Sequence, residues 1–362
     1  MTWTKTYIPL LAVTLLALTS CTKNASIKPN KTTDSTKTIT PPVEVDDADV
    51  YVAGVDPVGG SLMATYWKNG VAVNLTGLST QTVANDMIIQ GQDIYVAGYT
   101  NAAEGADIAT YWKNGTEVPL TTGPVVSQAN AITINGSDIY VAGIIYKSDG
   151  YPRAVYWKNG AINYLGDNIY VTRALAIAVK GNDVYVAGCL NNNAVYWKNG
   201  VIDSLLVDAN SDPNLYSTKA YAITISGNDV YFAGSLATYS TIGGIYWKNG
   251  VATQLQDGPI CITSTTPGAM VVNGSDVYVA GAVQDQTTHK YSAVYWKNGV
   301  DTKITDGKTN AEADAIAING KDVYISGLLD GAATYWKNKT SHQLANAGSP
   351  SAANDIVVIP HL

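Results

Sequence analysis

The chain has 362 residues and a formal net charge of −7, and 14% of its residues are charged. Arginine occurs only twice and no basic cluster is present, which excludes the basic surface that nucleic-acid binding requires. Tyrosine occurs 24 times and phenylalanine once, and the 33 glycines are accompanied by many Asn, Thr and Ser residues. This composition predicts an all-β protein that is rich in turns and long enough to bury a large core.

Residues 1–20 have the pattern of a secretory signal peptide. Lys5 precedes an apolar run, residues 8–18, that is too short to span a bilayer stably. The run ends in Leu-Thr-Ser-Cys at Cys21, which resembles the lipobox of bacterial lipoproteins. The resemblance implies cleavage before Cys21 and lipidation of this residue. A plain secretory signal followed by a chance cysteine is the alternative.

Residues 21–47 are predicted to form the lipidated cysteine and a flexible tether. The segment consists mainly of Thr, Lys, Ser, Asn, Pro and Asp, with too little apolar surface to form a core. Several acyl chains on Cys21 would anchor the protein stably in a membrane. We therefore expect a lipid-anchored protein of the bacterial cell envelope, at the outer membrane, facing either the surface or the periplasm.

A repeat organises the rest of the chain, residues 48–362. An alternating strand leads through an Asn-Gly or Gly-Asn turn to Asp-Val/Ile-Tyr-Val-Ala-Gly, and after a variable loop Ala-Val-Tyr-Trp leads into a Lys-Asn-Gly hairpin. Four short strands in each unit of 40 to 50 residues, seven times over, predict a seven-bladed β-propeller. The seven marker tryptophans are Trp67, Trp112, Trp157, Trp197, Trp247, Trp296 and Trp336.

The two ends of the repeat region predict how the ring closes. The first repeat begins directly with its second strand at Asp49, and residues 353–358 align with the first strand of the second repeat, residues 84–89. The C-terminal strand should therefore complete the first blade and leave no unpaired edge in the ring. The region resembles bacterial secreted β-propeller repeat proteins with a Trp-x-Asn-Gly hairpin in every blade, which implies the fold and no catalytic motif.

Polar residues open several first strands, at the mouth of the channel on the face that carries the variable loops. Their oxygens could hold Ca²⁺ or bind a sugar, or they could simply bond nearby backbone. No other cofactor is indicated. These channel-mouth candidates are Asn354 and Asp355 in blade 1, Asn85 and Asp86 in blade 2, Asn130 in blade 3 and Asp314 in blade 7.

A second set of candidates lies in the variable loops, where sequence differences over a repeated scaffold can encode specificity. Tyrosine offers an apolar ring and a hydroxyl to a sugar or a peptide, although the same residues could only cover blade edges. The loop-face candidates are Tyr99, Tyr146, Tyr151, Arg153, Tyr170, Arg173, Tyr216, Tyr239, His289 and Tyr291.

The repeated residues themselves are interpreted as structural. Identical Trp and Tyr residues suit packing between blades, the repeated Asp suits the turns, and the Lys of Trp-Lys-Asn-Gly is expected to be solvated. Cys189 and Cys261 fall in the variable connections of different repeats and are expected to be free thiols. No catalytic residue is assigned, because the common hydrolase and metal motifs are absent.

The leading functional hypothesis is a monomeric binding module for a glycan or a protein, attached to the membrane through its lipid. A hydrolase or lyase that uses the channel-mouth carboxylates is the runner-up. A purely structural protein of the envelope is the third alternative.

Overall fold

The computed structural model describes residues 48–76, 81–101, 105–123, 125–166, 171–207, 215–238, 242–255, 260–261, 269–285, 287–346 and 350–361. In these ranges we find no helix with the length and apolar character needed to cross a membrane. One compact unit runs from Asp46 to Leu362. The predicted signal peptide, Cys21 and the tether lie outside the described residues, as do Tyr170, Tyr239 and the side chain of Tyr216.

The described strands form seven antiparallel sheets, which are the blades of a β-propeller, as predicted. Blade 1 contains β1 (Ala48–Val58), β2 (Ser61–Lys68) and β3 (Val71–Asn74). Blade 2 contains β4 (Thr82–Gln90), β5 (Asp93–Asn101), β6 (Asp107–Lys113) and β7 (Thr116–Pro119). Blade 3 contains β8 (Ser127–Asn135), β9 (Asp138–Tyr146), β10 (Pro152–Lys158) and β11 (Ala161–Tyr164). Blade 4 contains β12 (Thr172–Lys180), β13 (Asp183–Leu190), β14 (Asn193–Lys198) and β15 (Val201–Ser204). Blade 5 contains β16 (Leu215–Ser226), β17 (Asp229–Thr238), β18 (Ile242–Lys248) and β19 (Val251–Gln254). Blade 6 contains β20 (Ile260–Cys261), β21 (Met270–Asn273), β22 (Asp276–Gln284), β23 (Tyr291–Lys297) and β24 (Val300–Lys303). Blade 7 contains β25 (Ala311–Asn319), β26 (Asp322–Leu329), β27 (Ala332–Lys337) and β28 (Thr340–Gln343).

The C-terminal strand β29 (Ala352–Pro360) completes blade 1, which confirms the predicted closure. It pairs antiparallel with β1, and the register runs from Ala48 opposite Pro360 to Val55 opposite Ala352. The first strands of successive blades also contact one another in the order β29, β4, β8, β12, β16, β21 and β25, and β25 returns to β29. The first strands therefore surround the axis, and the fourth strands lie at the rim.

Blade 6 departs from the predicted pattern, because two short strands pair with β22 where the other blades have one first strand. β20 pairs near the end of β22 and β21 pairs near its start. The two cysteines predicted to lie in variable connections belong to strands: Cys261 lies in β20 and Cys189 lies in β13. β13 extends through Leu190 because it pairs with β14 across a tight turn. Cys189 is a buried free thiol, as predicted.

The core lies between neighbouring blades, and the repeated tryptophans are its largest members. Each of the seven is at most 2% exposed. Trp157 of blade 3, for example, packs in one cluster with Tyr95, Ala97 and Ala109 of blade 2. Small residues on the inner strands and bulky residues further out fit wedge-shaped blades, and burial of these aromatic rings supplies much of the stabilisation. The predicted packing role of the tryptophans is confirmed.

Each blade also carries a polar clamp that joins its two short turns. In blade 1, Asn69 Nδ2 donates to Asp49 Oδ1 at 2.8 Å, and Lys68 Nζ lies 2.9 Å from Asp49 Oδ2. Lys68 also lies 5.2 Å from the ring centroid of Tyr51. Hydrogen bonds from Asn69 and Lys68 lower the pKa of Asp49 to about 2. The clamp recurs at Asp93, Asp138, Asp183, Asp229, Asp276 and Asp322.

The repeated lysines are solvated, as predicted, and they also have partners that the sequence did not indicate. Strand pairing places Lys68 directly opposite Tyr51, two residues along β1 from Asp49, so the ammonium group reaches both the carboxylate and the ring. The lysine side chains remain largely exposed, and individual pairs of this kind contribute little. Because the same Lys–Asp pair recurs in every blade, the turns on this face of the propeller are held in nearly the same way.

The last hairpin offers a test of the turn geometry. Asn69 and Gly70 have φ values of 49° and 80°, and the corresponding pair in blade 7, Asn338 and Lys339, has 49° and 75°. A side chain at such a φ is strained, whereas glycine is not. We expect Lys339→Gly to raise the free energy of unfolding by about 1 kcal/mol in urea denaturation. The reverse change, Gly160→Lys, should lower it, and the same sign for both variants would contradict this explanation.

Candidate functional site

The two faces of the propeller differ in their connections. The turns between first and second strands and between third and fourth strands are short and nearly identical, and they carry the clamps described above. The connections between second and third strands and between blades lie on the other face. The connections between second and third strands range from a two-residue turn between β13 and β14 to the six residues between β22 and β23. We call this the variable-loop face, and the described members of both predicted candidate sets lie towards it.

The asparagines predicted at the channel mouth join neighbouring blades. Asn85, Asn130 and Asn354 each occupy a β-bulge, at which the pairing of the first and second strands shifts register. Their amide Nδ2 atoms donate to backbone carbonyls one blade further on: Asn354 to Ala84 at 2.7 Å and Asn85 to Ala129 at 2.8 Å. Asn130 makes the equivalent bond to blade 4 at 2.8 Å. A β-bulge leaves the side chain free to point across the blade boundary.

The two aspartates that follow these asparagines make a second set of bonds across blades. Asp355 Oδ2 accepts from Met87 N at 3.0 Å, and Asp86 Oδ2 accepts from Ile132 N at 2.6 Å. Both side chains are buried, and burial raises the pKa of both carboxyls. The neighbouring Asp355 raises the pKa of Asp86 further. The structure thus brings Asp86 and Asp355 together and gives each a bond that holds the ring closed.

Asp314 occupies the bulge of blade 7 and is 9% exposed. Burial, followed by the charge of Glu312, raises its pKa to about 8. The folded state therefore keeps a proton that the unfolded chain releases near pH 4, so the contribution of Asp314 to stability is complete below pH 4. This contribution is lost as the pH rises towards 8. Burial of Asp86 and Asp355 acts in the same direction.

The Asp314→Asn variant should lose less stability between pH 4.5 and pH 8.5 than the wild type, by an amount on the order of a few kcal/mol. The amide keeps the shape of the carboxyl and cannot ionise. Urea denaturation at the two pH values measures the effect, with Glu117→Gln on the exposed strand β7 as the control. An equal pH dependence in wild type and Asp314→Asn would contradict the assignment.

Sequence reasoning missed a third set of bonds across blades, made by hydroxyl groups. Ala64 N in blade 1 donates to Thr82 Oγ1 at 2.7 Å, and Ala109 N in blade 2 donates to Ser127 Oγ at 2.9 Å. The signal was present, because a Ser or Thr stands three residues before the bulge position in five repeats. The five hydroxyl residues are Thr82, Ser127, Thr172, Thr218 and Ser351.

The described loop-face candidates are spread over blades 2 to 6, and most of them belong to strands. Tyr151 and His289 lie in connections, and Tyr151 is 56% exposed. Arg153 is buried, with its Nη2 atom 2.5 Å from Asp149 Oδ2. Asp149 also accepts from Tyr151 N at 2.9 Å, so this loop of blade 3 has an ordered turn. The candidates within strands are Tyr99, Tyr146, Arg153, Arg173, Tyr216 and Tyr291.

A groove of about 780 Å³ lies on the variable-loop face at blade 6. One wall is the connection between β22 and β23, where Asp285 Oδ1 accepts from Thr287 N at 2.9 Å and from Thr288 N at 2.7 Å. These bonds lower the pKa of Asp285 and hold the loop in one shape. The groove is lined by Val283, Gln284, Asp285, Thr288, Lys290, Ser292, Lys303, Asp306, Gly307 and Lys308.

The other wall of the groove is the connection from blade 6 to blade 7. Lys308 Nζ lies 2.6 Å from Asp306 Oδ2, and Lys290 Nζ donates to the carbonyl of Lys308 across the rim. Lys303, at the end of β24, is exposed and lies close enough to Asp285 to lower its pKa. Sequence reasoning selected only His289 and Tyr291 in this region. The connection between β22 and β23 is the longest between a second and a third strand, and this length was the signal for the other residues of the groove.

A metal site is not assigned by the geometry. Across the ranges that the structure describes, no three His, Cys, Asp or Glu side chains are grouped so that they could share a metal ion. Five of the six residues predicted at the channel mouth make the bonds across blades described above, namely Asn85, Asp86, Asn130, Asn354 and Asp355.

Comparisons with known proteins show similarity of fold. No family model matches the sequence, and no curated protein is similar to it. A puromycin-hydrolyzing peptidase of Mycobacterium tuberculosis is 10% identical over 82% of this chain and 52% of its own, with a TM-score of 0.52. The acylaminoacyl peptidase of Pyrococcus horikoshii is 13% identical over 79% of this chain and 51% of its own, with a TM-score of 0.43. YjhT is 12% identical over 76% of this chain and 96% of its own, with a TM-score of 0.41. The chain thus spans about half the length of the two peptidases.

Proposed function

We propose that this protein is a lipid-anchored binding module of the bacterial cell envelope that takes a glycan on its variable-loop face. The observation that carries the proposal is the groove of about 780 Å³ at blade 6. Concave sites with convergent polar groups are where ligands are usually bound, and this groove lies on the face whose connections differ from blade to blade.

The lining of the groove suits a ligand that is rich in hydroxyl groups. Gln284 and Lys303 supply N–H donors, Asp306 supplies acceptors, and Thr288 and Ser292 can do both. The loop bonds of Asp285 hold one wall in place before a ligand arrives, which lowers the entropy lost on binding. A protein ligand is the alternative outcome of the test below.

The test uses the mature chain, residues 21–362, with Cys21→Ser to keep it free of lipid. A glycan array should give a binding signal that falls in Lys303→Ala and in Gln284→Ala at unchanged thermal midpoint. Lys321→Ala, in an exposed turn on the opposite face, is the matched control. Unchanged binding in both groove variants would contradict the site, and a blank array with folded protein would favour a protein ligand.

The lipid anchor is tested separately in cells. Cys21→Ala should move the protein from the membrane fraction to the soluble fraction and abolish incorporation of a labelled fatty acid. A protein that remains in the membrane fraction with its label would contradict lipidation at this residue.

A further inference from the structure

Charged residues of opposite sign occupy different parts of the ring of first strands at the variable-loop face. The position two residues before the bulge is Arg173 in blade 4, Lys219 in blade 5 and Glu312 in blade 7. Glu312 lies within electrostatic range of the buried Asp314 of the same blade. The cations stand in blades 4 and 5, where the bulge residues are Leu175 and Tyr221 in place of Asn or Asp.

Arg173 and Lys219 lie near each other. They occupy the same register position on β12 and β16, and these two strands are in contact. Arg173 lies directly opposite Cys189 in the pairing of β12 with β13, and the thiol of Cys189 is buried. Burial raises the pKa of Cys189, and both Lys219 and Arg173 act to lower it, so both cations are within electrostatic range of one thiol.

Both cations lack a partner in the part of the chain that the structure describes. Neither Arg173 nor Lys219 forms a hydrogen bond or an ion pair there, although both are partly buried. By contrast, Gln128 at the same position of blade 3 donates to Asp107 at 2.7 Å, and Lys68 is paired with Asp49. Two neighbouring cations that are partly removed from water repel each other, and an anion between them would offset this cost.

We propose that Arg173 and Lys219 form a binding site for an oxyanion at the axial mouth of blades 4 and 5. A guanidinium group can bind carboxylate, phosphate or sulfate through two parallel N–H bonds, and the ammonium group of Lys219 adds a second charge. Partial burial of both cations strengthens such contacts by lowering the local dielectric. This site is separate from the groove at blade 6, and it holds or fails independently of the glycan proposal.

The experiment is calorimetric titration of the mature chain, residues 21–362 with Cys21→Ser, at low ionic strength. The probes are inorganic phosphate, a trimer of galacturonic acid and, as the neutral control, a trimer of galactose. The variants are Arg173→Gln, Lys219→Gln and both together, with Lys321→Gln as a control that removes one charge on the opposite face. Loss of each cation should weaken binding of the anionic probe by about tenfold or more.

The probes distinguish the source of the anion. Tighter binding of the galacturonic acid trimer than of phosphate indicates an acidic glycan, and the reverse order indicates a small free anion. Arg173→Lys keeps the charge and should retain part of the affinity for the anion. This variant tests the role of the guanidinium group if a glutamine variant fails to fold. The proposal is overturned if the wild type binds neither anion, or if folded Arg173→Gln, Lys219→Gln and Lys321→Gln all bind the anion as the wild type does.

Discussion

A chain that ends at residue 351 should fail to form the propeller. The deleted strand β29 supplies the first strand of blade 1 and pairs with β1 over most of its length. Its removal leaves β1 with an unpaired edge and breaks the contacts of the ring with β4 and β25. The strand also carries Ala353, Asp355 and Ile356, which are at most 4% exposed. A domain is stable by only about 5–15 kcal/mol, and loss of a whole strand exceeds that margin.

The expected result is loss of the near-ultraviolet circular dichroism signal and of a cooperative urea transition. A rearranged chain provides the control: residues 350–360 are moved in front of residue 48 and joined by an Asn-Gly turn. Pro360 and Ala48 are paired partners, so a short turn can connect them. This variant contains the same strand and should fold. A truncated chain with the urea midpoint of the wild type would contradict closure by β29.

Replacement of Gly98 by Ala should destabilise the propeller by about 3 kcal/mol or more. An added Cβ at Gly98 would lie 1.8 Å from the carbonyl oxygen of Val83 and 2.9 Å from the carbonyl carbon. These are backbone atoms of the first strand, held in place by the bulge between Ala84 and Asp86. The backbone therefore has to move, and the bonds of Asn85 and Asp86 to blade 3 move with it.

Gly243→Ala is the matched control for Gly98→Ala. A Cβ at Gly243 would meet only the side chain of Leu236, with Cδ1 at 3.1 Å, and a leucine side chain can rotate away. We expect a loss below about 1 kcal/mol for the control, measured by urea denaturation of both variants. Similar losses in the two variants would show that close approach to the first strand is not what requires glycine.

The same geometry explains why Val-Ala-Gly recurs in the repeat. The corresponding Cβ would lie 1.9 Å from the carbonyl oxygen of Ala352 at Gly54, and 2.1 Å from that of Gln128 at Gly143. The sequence showed an invariant position within the repeat, and its reason is a contact between two strands of one blade. Glycine is therefore retained where the bulge pushes one backbone against the other.

The channel-mouth residues show the limit of the sequence argument more directly. Alignment of the repeats placed Asn85, Asp86, Asn354 and Asp355 correctly on first strands near the axis. It left open whether their oxygens face a ligand or nearby backbone. The structure shows side-chain bonds to the next blade, because the β-bulges turn these residues across the boundary. Such a direction depends on how two blades pack, and strand periodicity carries no record of it.

The sequence by itself determined the class of fold, the number of blades and the closure of the ring, since each follows from a local pattern repeated at a regular spacing. It also marked the buried tryptophans and the turns. Only the tertiary structure decided the roles of Asp86 and Asp314, the partners of the repeated lysines and the groove at blade 6. It also decided that Arg173 and Lys219 lie near each other. These features join residues from different strands, connections or blades, and their distances are set by packing around the axis rather than by separation along the chain.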